Sequence, residues 1–232
     1  GQIVDVAGEG PIELDVAARA PQPSLDLMFV VDTTGSMSDE LGYLKCALGS
    51  VLEQVRSRSQ GGLDLRVSVD FYRDAEDEYV VRSFPFTGDA DEAIAHLRRQ
   101  SAGGGGDWEE ALDLALDDAV FDHAWREAAT ARLLFLVADA PPHMSRAEVR
   151  DRLWSATAEA ARLGVRVIPV AASGADQDTQ MVYRTIAAAT GGTHTWLTDD
   201  SGIGDSHTTP VVGEHQVEDL HAMLIRIIEE AL

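Results

Sequence analysis

One stretch near the start of the sequence indicates the architecture of the whole chain: Leu25-Asp26-Leu27-Met28-Phe29-Val30-Val31-Asp32-Thr33-Thr34-Gly35-Ser36. Its run Leu27–Val31 is continuously apolar, as is typical of a strand that is covered on both faces of a sheet. A polar loop follows this run directly, and a helical periodicity begins after the loop. The stretch therefore predicts a buried strand over Leu25–Asp32, followed by a short loop and a helix.

The same succession of apolar runs and helical periodicities continues along the chain. Apolar runs predict strands over Leu133–Ala138 and Val165–Ala172, whereas Leu63–Tyr72 alternates between apolar and polar residues and is expected nearer an edge. Shorter strands are predicted over Tyr79–Phe84 and Gly192–Leu197. Apolar residues at helical spacing predict helices over Leu41–Val55, Ala111–Ala119, Val149–Leu163 and Val217–Ile228, with weaker patterns over Ala90–Gln100 and Gln177–Thr190.

These alternating elements predict an α/β fold with a Rossmann-like, doubly wound and mostly parallel six-stranded sheet and helices on both faces. In such sheets ligands bind beyond the carboxyl ends of the strands, so function is expected there. The glycines and prolines of residues 1–24 predict an extended arm or linker before a domain over residues 25–232. Other domains of a longer chain are therefore among the expected partners.

The composition narrows the classes of function. With 232 residues, 45% of them apolar, the chain has the composition of a folded domain. Its 40 acidic and 18 basic residues give a net charge of −22, which repels phosphate backbones and argues against nucleic-acid binding. The single Cys46 is too few for a thiolate metal cage. No apolar run approaches the length of a membrane span, so we expect no membrane insertion by this segment.

Oxygen-bearing side chains collect at the predicted strand ends. Asp32, Thr34 and Ser36 place a carboxylate and two hydroxyls at alternate positions of one loop. Asp139 ends the apolar run of a second strand, and Asp107 follows four glycines. Hard divalent cations prefer such oxygen ligands, so these five residues predict a site for one divalent cation. Mg²⁺ is the expected ion, and Mn²⁺ and Ca²⁺ are also compatible with the ligand set.

These residues resemble the von Willebrand factor type A (vWA) domain, over about Leu25–Leu232. The metal-ion-dependent adhesion site (MIDAS) of that family combines an Asp-x-Ser-x-Ser loop with a distant Thr and a distant Asp. Asp32-Thr33-Thr34-Gly35-Ser36 matches the loop, and Asp139 matches the distant aspartate. In place of the threonine this chain has Gly105-Gly106-Asp107-Trp108-Glu109-Glu110, which is similar to a bacterial subset of the family and implies Asp107 as the substitute ligand.

The resemblance implies a function as well as a fold. It implies a non-enzymatic, adhesion-type module that binds a protein partner through a divalent cation, with an acidic side chain of the partner as the family's usual ligand. A third carboxylate at the site would leave a formal charge of −1 around a dication, so an anionic partner would be attracted less strongly. In the family the last helix moves with occupancy of the site, which makes residues 217–232 the expected mobile element.

Other interpretations of the same residues stay open at this point. The loop after Asp32 has the composition of a turn and helix cap. A bound cation could activate water, with His143 as general base, which would make the chain a metal-assisted hydrolase. A structural or assembly module with an empty site is a third interpretation. His143, Trp108 and Arg73 are expected in the rim or the outer shell of the site, because they follow or adjoin its predicted loops.

Overall fold

A six-stranded sheet forms the centre of the computed structural model, which describes residues 22–59, 62–172, 174–197 and 218–232. The strand order is β3-β2-β1-β4-β5-β6, and β3 is the one antiparallel strand in the described sheet. The predicted mostly parallel α/β sheet is therefore confirmed. The strands are β1 Ser24–Asp32, β2 Asp64–Tyr72, β3 Val81–Arg82, β4 Ala131–Ala138, β5 Val165–Ala171 and β6 Thr195–Trp196.

Six α-helices of the described ranges cover the two faces of this sheet. One face packs against α1, α2 and α6, and the other packs against α3, α4 and α5. None of them is both long enough and apolar enough to cross a lipid bilayer. The helices are α1 Ser38–Arg58, α2 Ala90–Arg98, α3 Leu112–Phe121, α4 Ala147–Leu163, α5 Gln177–Thr190 and α6 Leu220–Ala231, and a 3₁₀ turn spans Gly35–Met37.

Strand β1 is the most deeply buried part of the sheet, because parallel neighbours flank it and helices cover both of its faces. Every residue from Leu25 to Asp32 is buried. Alternate side chains enter the two opposite cores, and the Phe29 ring stacks on Phe135 of β4 with the ring centroids 5.3 Å apart. This packing holds the end of β1, and with it Asp32, in a fixed position.

Strand β2 lies second from the edge, as its alternating pattern predicted, but the C-terminal half of its polar side is not solvated. Ser68 and Asp70 are each 1% exposed. The Ser68 hydroxyl donates to the Phe84 carbonyl at 2.5 Å, and the Phe84 N–H donates to Asp70 Oδ1 at 2.9 Å. Two side chains of β2 therefore bond to the backbone carbonyl and N–H of Phe84, the groups that pairing between strands would otherwise use. For this reason β3 is limited to Val81–Arg82, shorter than the predicted Tyr79–Phe84.

The remaining boundaries differ from the sequence predictions by small amounts. The last strand spans only Thr195–Trp196. The last helix begins at Leu220, where the Asp219 carboxylate caps it by accepting from the Ala222 N–H at 2.8 Å. Residues 1–21 of the predicted arm, and Val217 of the predicted helix, lie outside the described residues.

A half-buried histidine near the sheet edge makes stability depend on pH. Both ring nitrogens of His194 are buried and lack a hydrogen-bond partner in the described ranges, and its ring lies 5.7 Å from that of Trp196. Burial, and then the charge of Arg184, lowers the pKa of His194 to about 4. The neutral ring is thus favoured in the fold. Its contribution to stability is complete above about pH 6.5 and is lost as the pH falls toward 4.

Replacing His194 with phenylalanine should remove this dependence, because no proton can bind at the site. Between pH 7 and pH 5 we expect the free energy of unfolding of the wild-type chain to lose about 1 kcal/mol more than that of the variant. Urea titrations at the two pH values measure this difference. His221→Phe is the control, since His221 hydrogen-bonds to Ser50 near the surface. Equal losses in wild type and His194→Phe would contradict the prediction.

Candidate metal site at the carboxyl ends of the strands

The loop after β1 gathers three oxygen-bearing side chains into one small volume. The backbone N–H and the hydroxyl of Thr34 donate to Asp32 Oδ1, at 2.8 and 2.7 Å. The Thr34 hydroxyl also lies 3.4 Å from the Ser36 hydroxyl. The 3₁₀ turn Gly35–Met37 directs the chain from this loop into α1. Asp32 Oδ1 is thereby oriented from within the loop, and Oδ2 is left for another partner.

Asp139 reaches the same volume from the neighbouring strand. It directly follows β4, which pairs with β1 in parallel, and it is 2% exposed. Burial raises the pKa of Asp139, and a hydrogen bond with Ser36 acts in the opposite direction. Burial, followed by the nearby charge of Asp139, raises the pKa of Asp32 to about 7. Two acids from adjacent strands therefore repel each other at the carboxyl ends of β1 and β4. We call this part of the sheet edge, with Asp32, Thr34, Ser36 and Asp139, the crest.

A third acid, Glu110, joins this pair from the segment that precedes α3. Its backbone N–H donates to the Pro141 carbonyl at 2.9 Å, which ties the segment to the loop after β4. Glu110 is 3% exposed. Burial, and then the charge of Asp32, raises its pKa to about 9. The crest thus concentrates three buried carboxyl groups, on Asp32, Glu110 and Asp139.

One oxygen of each of these carboxyl groups lacks a hydrogen bond of good geometry to any described residue. Asp32 Oδ2, Glu110 Oε2 and Asp139 Oδ1 are buried and have no hydrogen-bond partner in the part of the chain that the structure describes. Buried carboxylates are unfavourable unless a cation or donors compensate them. All three atoms are hard oxygen donors, and two hydroxyls lie beside them, which is the donor set that Mg²⁺ or Ca²⁺ prefers. The residues present therefore fit a divalent cation.

The structure places Asp107 in a neighbouring group. Asp107 is exposed, and its carboxylate lies with ligand atoms of Asp74 and His143, all within 4.8 Å of one another. In the described ranges, neither Asp32, Asp107 and Asp139 nor Asp32, Glu110 and Asp139 form such a group. The sequence favoured Asp107 because it follows the four glycines and because the segment resembles that of a bacterial subset of the family. The buried acid of this segment is Glu110, which the sequence analysis did not single out although it adjoins the buried residues Ala111 and Leu112.

The rim residues take different positions. His143 is 5% exposed, with Nε2 3.1 Å from Asp74 Oδ1 and Nδ1 3.4 Å from Glu109 Oε2. Its two ring nitrogens therefore face two different carboxylates, those of Asp74 and Glu109. Trp108 is 44% exposed, so its ring does not form a buried wall. Arg73 is 7% exposed and donates to the Ser101 carbonyl at 2.7 Å. It is therefore not a surface group, and it supports the segment of four glycines at residues 103–106, which we call the glycine loop.

The glycine loop is held against the crest by backbone hydrogen bonds. The Gly103 N–H donates to the Thr33 carbonyl at 3.0 Å, and the Gly35 N–H donates to the Gly104 carbonyl at 3.2 Å. Gly104 has φ = 82°, a conformation that a side chain rarely allows. A Cβ at Gly104 would lie 2.1 Å from Asp77 Oδ1. Glycine at this position therefore permits the close approach of the loop to the strand ends.

Comparison with known proteins agrees with the fold. The family model of the von Willebrand factor A domain matches residues 26–199. No curated protein matches the sequence. Among solved structures, the chain is similar to the conserved hypothetical protein BatB from Bacteroides thetaiotaomicron, with a TM-score of 0.59 and 12% identity over 89% of this chain and 98% of that one.

The open conformation of the pilus adhesin SpaC from Lactobacillus rhamnosus GG is also similar. Its TM-score is 0.63 at 11% identity, and the match covers 90% of this chain. The same match covers only 30% of SpaC, so this chain corresponds to less than a third of the adhesin. At such low identities the two structures support the fold.

Proposed function

Since the chain belongs to the von Willebrand factor A family, we propose that it is a divalent-cation-dependent protein-interaction module of the adhesion type. Domains of this family are typically interaction modules, and many bind a divalent cation. The observation that carries the proposal is a set of three buried carboxylate oxygens, on Asp32, Glu110 and Asp139, that have no hydrogen-bond partner among the described residues and lie beside the hydroxyls of Thr34 and Ser36. A cation bound there would compensate their charge.

In this proposal Asp32, Thr34, Ser36 and Asp139 hold one Mg²⁺, as in a MIDAS, with an acid of the segment before α3 as a further ligand. Burial and the Pro141 backbone contact support Glu110 in that role, and the neighbouring Asp107 is the alternative. Magnesium keeps several coordination positions for water or for a ligand from outside the chain. An oxygen of the partner protein would take such a position.

The negative charge around the site affects which protein partners can bind there. Three carboxylates around a dication sum to −1, and Asp74, Asp77 and Glu109 add further negative charge at the rim. An acidic side chain is the family's usual ligand, and here it would enter a more negative environment than in a site with two carboxylates. We propose a protein partner whose oxygen ligand is accompanied by basic residues, which would offset this repulsion.

Manganese relaxation provides the direct test, because Mn²⁺ occupies magnesium sites and reports on bound water. A chain stripped of metal and then titrated with Mn²⁺ should bind one equivalent that retains exchanging water on the ion, seen as enhanced water-proton relaxation. Asp32→Ala should lose this equivalent, and Asp39→Ala, an exposed acid at the start of α1, should keep it. Absence of uptake would overturn the proposal, and uptake without exchanging water would exclude a role in binding an outside ligand.

A pair of substitutions should identify the third acid. Glu110→Gln removes the charge of a buried carboxyl group that lies beside Asp32, and we expect it to weaken Mg²⁺ binding by about 10-fold to 100-fold. Asp107→Asn changes an exposed residue and should alter the affinity by less than about threefold. Isothermal titration at constant ionic strength measures both. The reverse order of the two effects would assign the ligand to Asp107.

A further inference from the structure

A second group of ligand-type side chains lies beneath the β2–β3 edge of the sheet. It consists of Asp70 of β2, Asp118 of α3 and His123, which lies just beyond the end of α3. One ligand atom from each residue lies within 4.8 Å of the others. None of the three belongs to the crest site, and together they join the sheet edge to the C-terminal end of α3.

The three side chains converge on a single point. His123 Nε2 lies 2.8 Å from Asp70 Oδ2 and 3.5 Å from Asp118 Oδ2. Asp70 is 1% exposed, and both of these oxygens are buried without an aligned hydrogen bond in the described structure. One ring nitrogen can donate only one proton, so it cannot satisfy two carboxylates at once. Asp70 Oδ2 and Asp118 Oδ2 therefore both point toward His123 Nε2, whose single proton can serve only one of them.

A dication would neutralise the charge of this group, which a second proton on His123 does not. Two carboxylates and a protonated imidazole sum to −1, and burial of uncompensated charge is unfavourable. A dication with a neutral imidazole would bring the sum to zero. The same exchange would give each of the two unsatisfied oxygens, Asp70 Oδ2 and Asp118 Oδ2, a bond of its own.

Surrounding contacts orient the ligands. The other oxygen of Asp70 accepts from the Phe84 N–H at 2.9 Å, which turns Oδ2 toward His123. The Asp118 side chain is 22% exposed, so the group is open to solvent on that side. The Ser83 hydroxyl lies 3.4 Å from Asp118 Oδ1 and lines this opening.

We propose that Asp70, Asp118 and His123 form a zinc site that ties the end of α3 to β2. One imidazole nitrogen with two carboxylate oxygens is a ligand set that zinc accepts, with a water in the fourth position. Ligands at 2.0–2.1 Å from a tetrahedral zinc are separated by roughly 3.3 Å. The two observed nitrogen–oxygen separations lie on either side of that value, so small side-chain movements would admit the ion.

Zinc titration of the full chain in an Asp32→Ala background tests the site, because that substitution removes the crest ligand. The chain is first stripped with chelator, and Zn²⁺ binding is followed by calorimetry. We expect His123→Gln in this background to lower the bound zinc by one equivalent, and Asp118→Asn to weaken the same equivalent at least tenfold. Asp117→Asn and His221→Gln are the matched controls and should leave zinc binding unchanged.

Cobalt provides a readout that does not depend on stability. Co²⁺ added to the Asp32→Ala chain should give the visible absorption bands of a tetrahedral ion, and both His123→Gln and Asp118→Asn should weaken them. Asp118 is partly exposed, so Asp118→Asn remains informative even where His123→Gln fails to fold. Zinc and cobalt uptake that is the same with and without these substitutions would overturn the proposal and leave Asp70 and His123 as a plain ion pair. Either result is independent of whether the crest binds magnesium.

Discussion

Replacing Asp32 with asparagine is expected to stabilise the metal-free chain and at the same time to abolish its stabilisation by Mg²⁺. The asparagine side chain would keep the oxygen that accepts from Thr34, and its amide would face Asp139 in place of a second negative charge. We expect the free energy of unfolding at pH 8 to rise by roughly 1–3 kcal/mol in chelator. The loss of a carboxylate ligand should remove the response to the cation.

The same argument predicts how the free energy of unfolding of the metal-free chain changes with pH. Because burial and Asp139 raise the pKa of Asp32 from 3.8 to about 7, the folded chain binds this proton more tightly than the unfolded chain does. The stabilisation of the fold by this proton is complete below about pH 3.8 and is lost as the pH rises through 7. Unfolding titrations in chelator should show this loss in the wild-type chain, and a smaller one in Asp32→Asn.

Asp39→Asn is the control for both measurements, since Asp39 is exposed in the first turn of α1. It should retain the wild-type response to Mg²⁺. A metal-free Asp32→Asn chain less stable than wild type would show that Asp32 serves the fold as a turn and cap residue. Retention of the Mg²⁺ response would remove Asp32 from the site.

Replacing Gly104 with alanine is expected to disrupt the loop that carries Glu110 toward the crest. An alanine at this position would have to adopt the left-handed backbone of Gly104, with φ = 82°, and its methyl group would lie 2.1 Å from Asp77 Oδ1. Asp77 cannot withdraw freely, because its Oδ2 accepts from the N–H groups of Asp74 and Gly105, at 3.1 and 3.0 Å. We expect a destabilisation of about 2–4 kcal/mol and at least a tenfold loss of Mg²⁺ affinity.

Gly106→Ala provides the matched comparison within the same loop. A Cβ at Gly106 would meet nothing within 4 Å, and this glycine is not among those with positive φ. We expect this variant to change stability and Mg²⁺ affinity only slightly. Thermal unfolding and calorimetry on the two variants measure the contrast, and similar behaviour of both would show that the loop tolerates displacement without consequence for the crest.

Much of the fold could be predicted from the sequence because its signals are local. The continuous apolar run before Asp32 predicted a doubly covered strand, and the spacing of apolar residues predicted α5 at Gln177–Thr190. The short edge strand was harder to predict. Its length depends on the hydrogen bonds of Ser68 and Asp70 to the backbone of Phe84. This contact joins two segments of the chain, so the pattern of apolar residues within either segment does not reveal it.

The sequence by itself determined the doubly wound sheet and the side chains placed at the ends of β1 and β4, because residue spacing fixes which positions are buried and where a strand stops. Only the tertiary structure decided which of two nearby acids, Glu110 and Asp107, is buried near Asp32. Asp107 and Glu110 are three residues apart in one loop, and the backbone bond from Glu110 to Pro141 buries one of them while the other faces solvent. The path of a loop depends on contacts with distant segments, so local sequence could not distinguish the two.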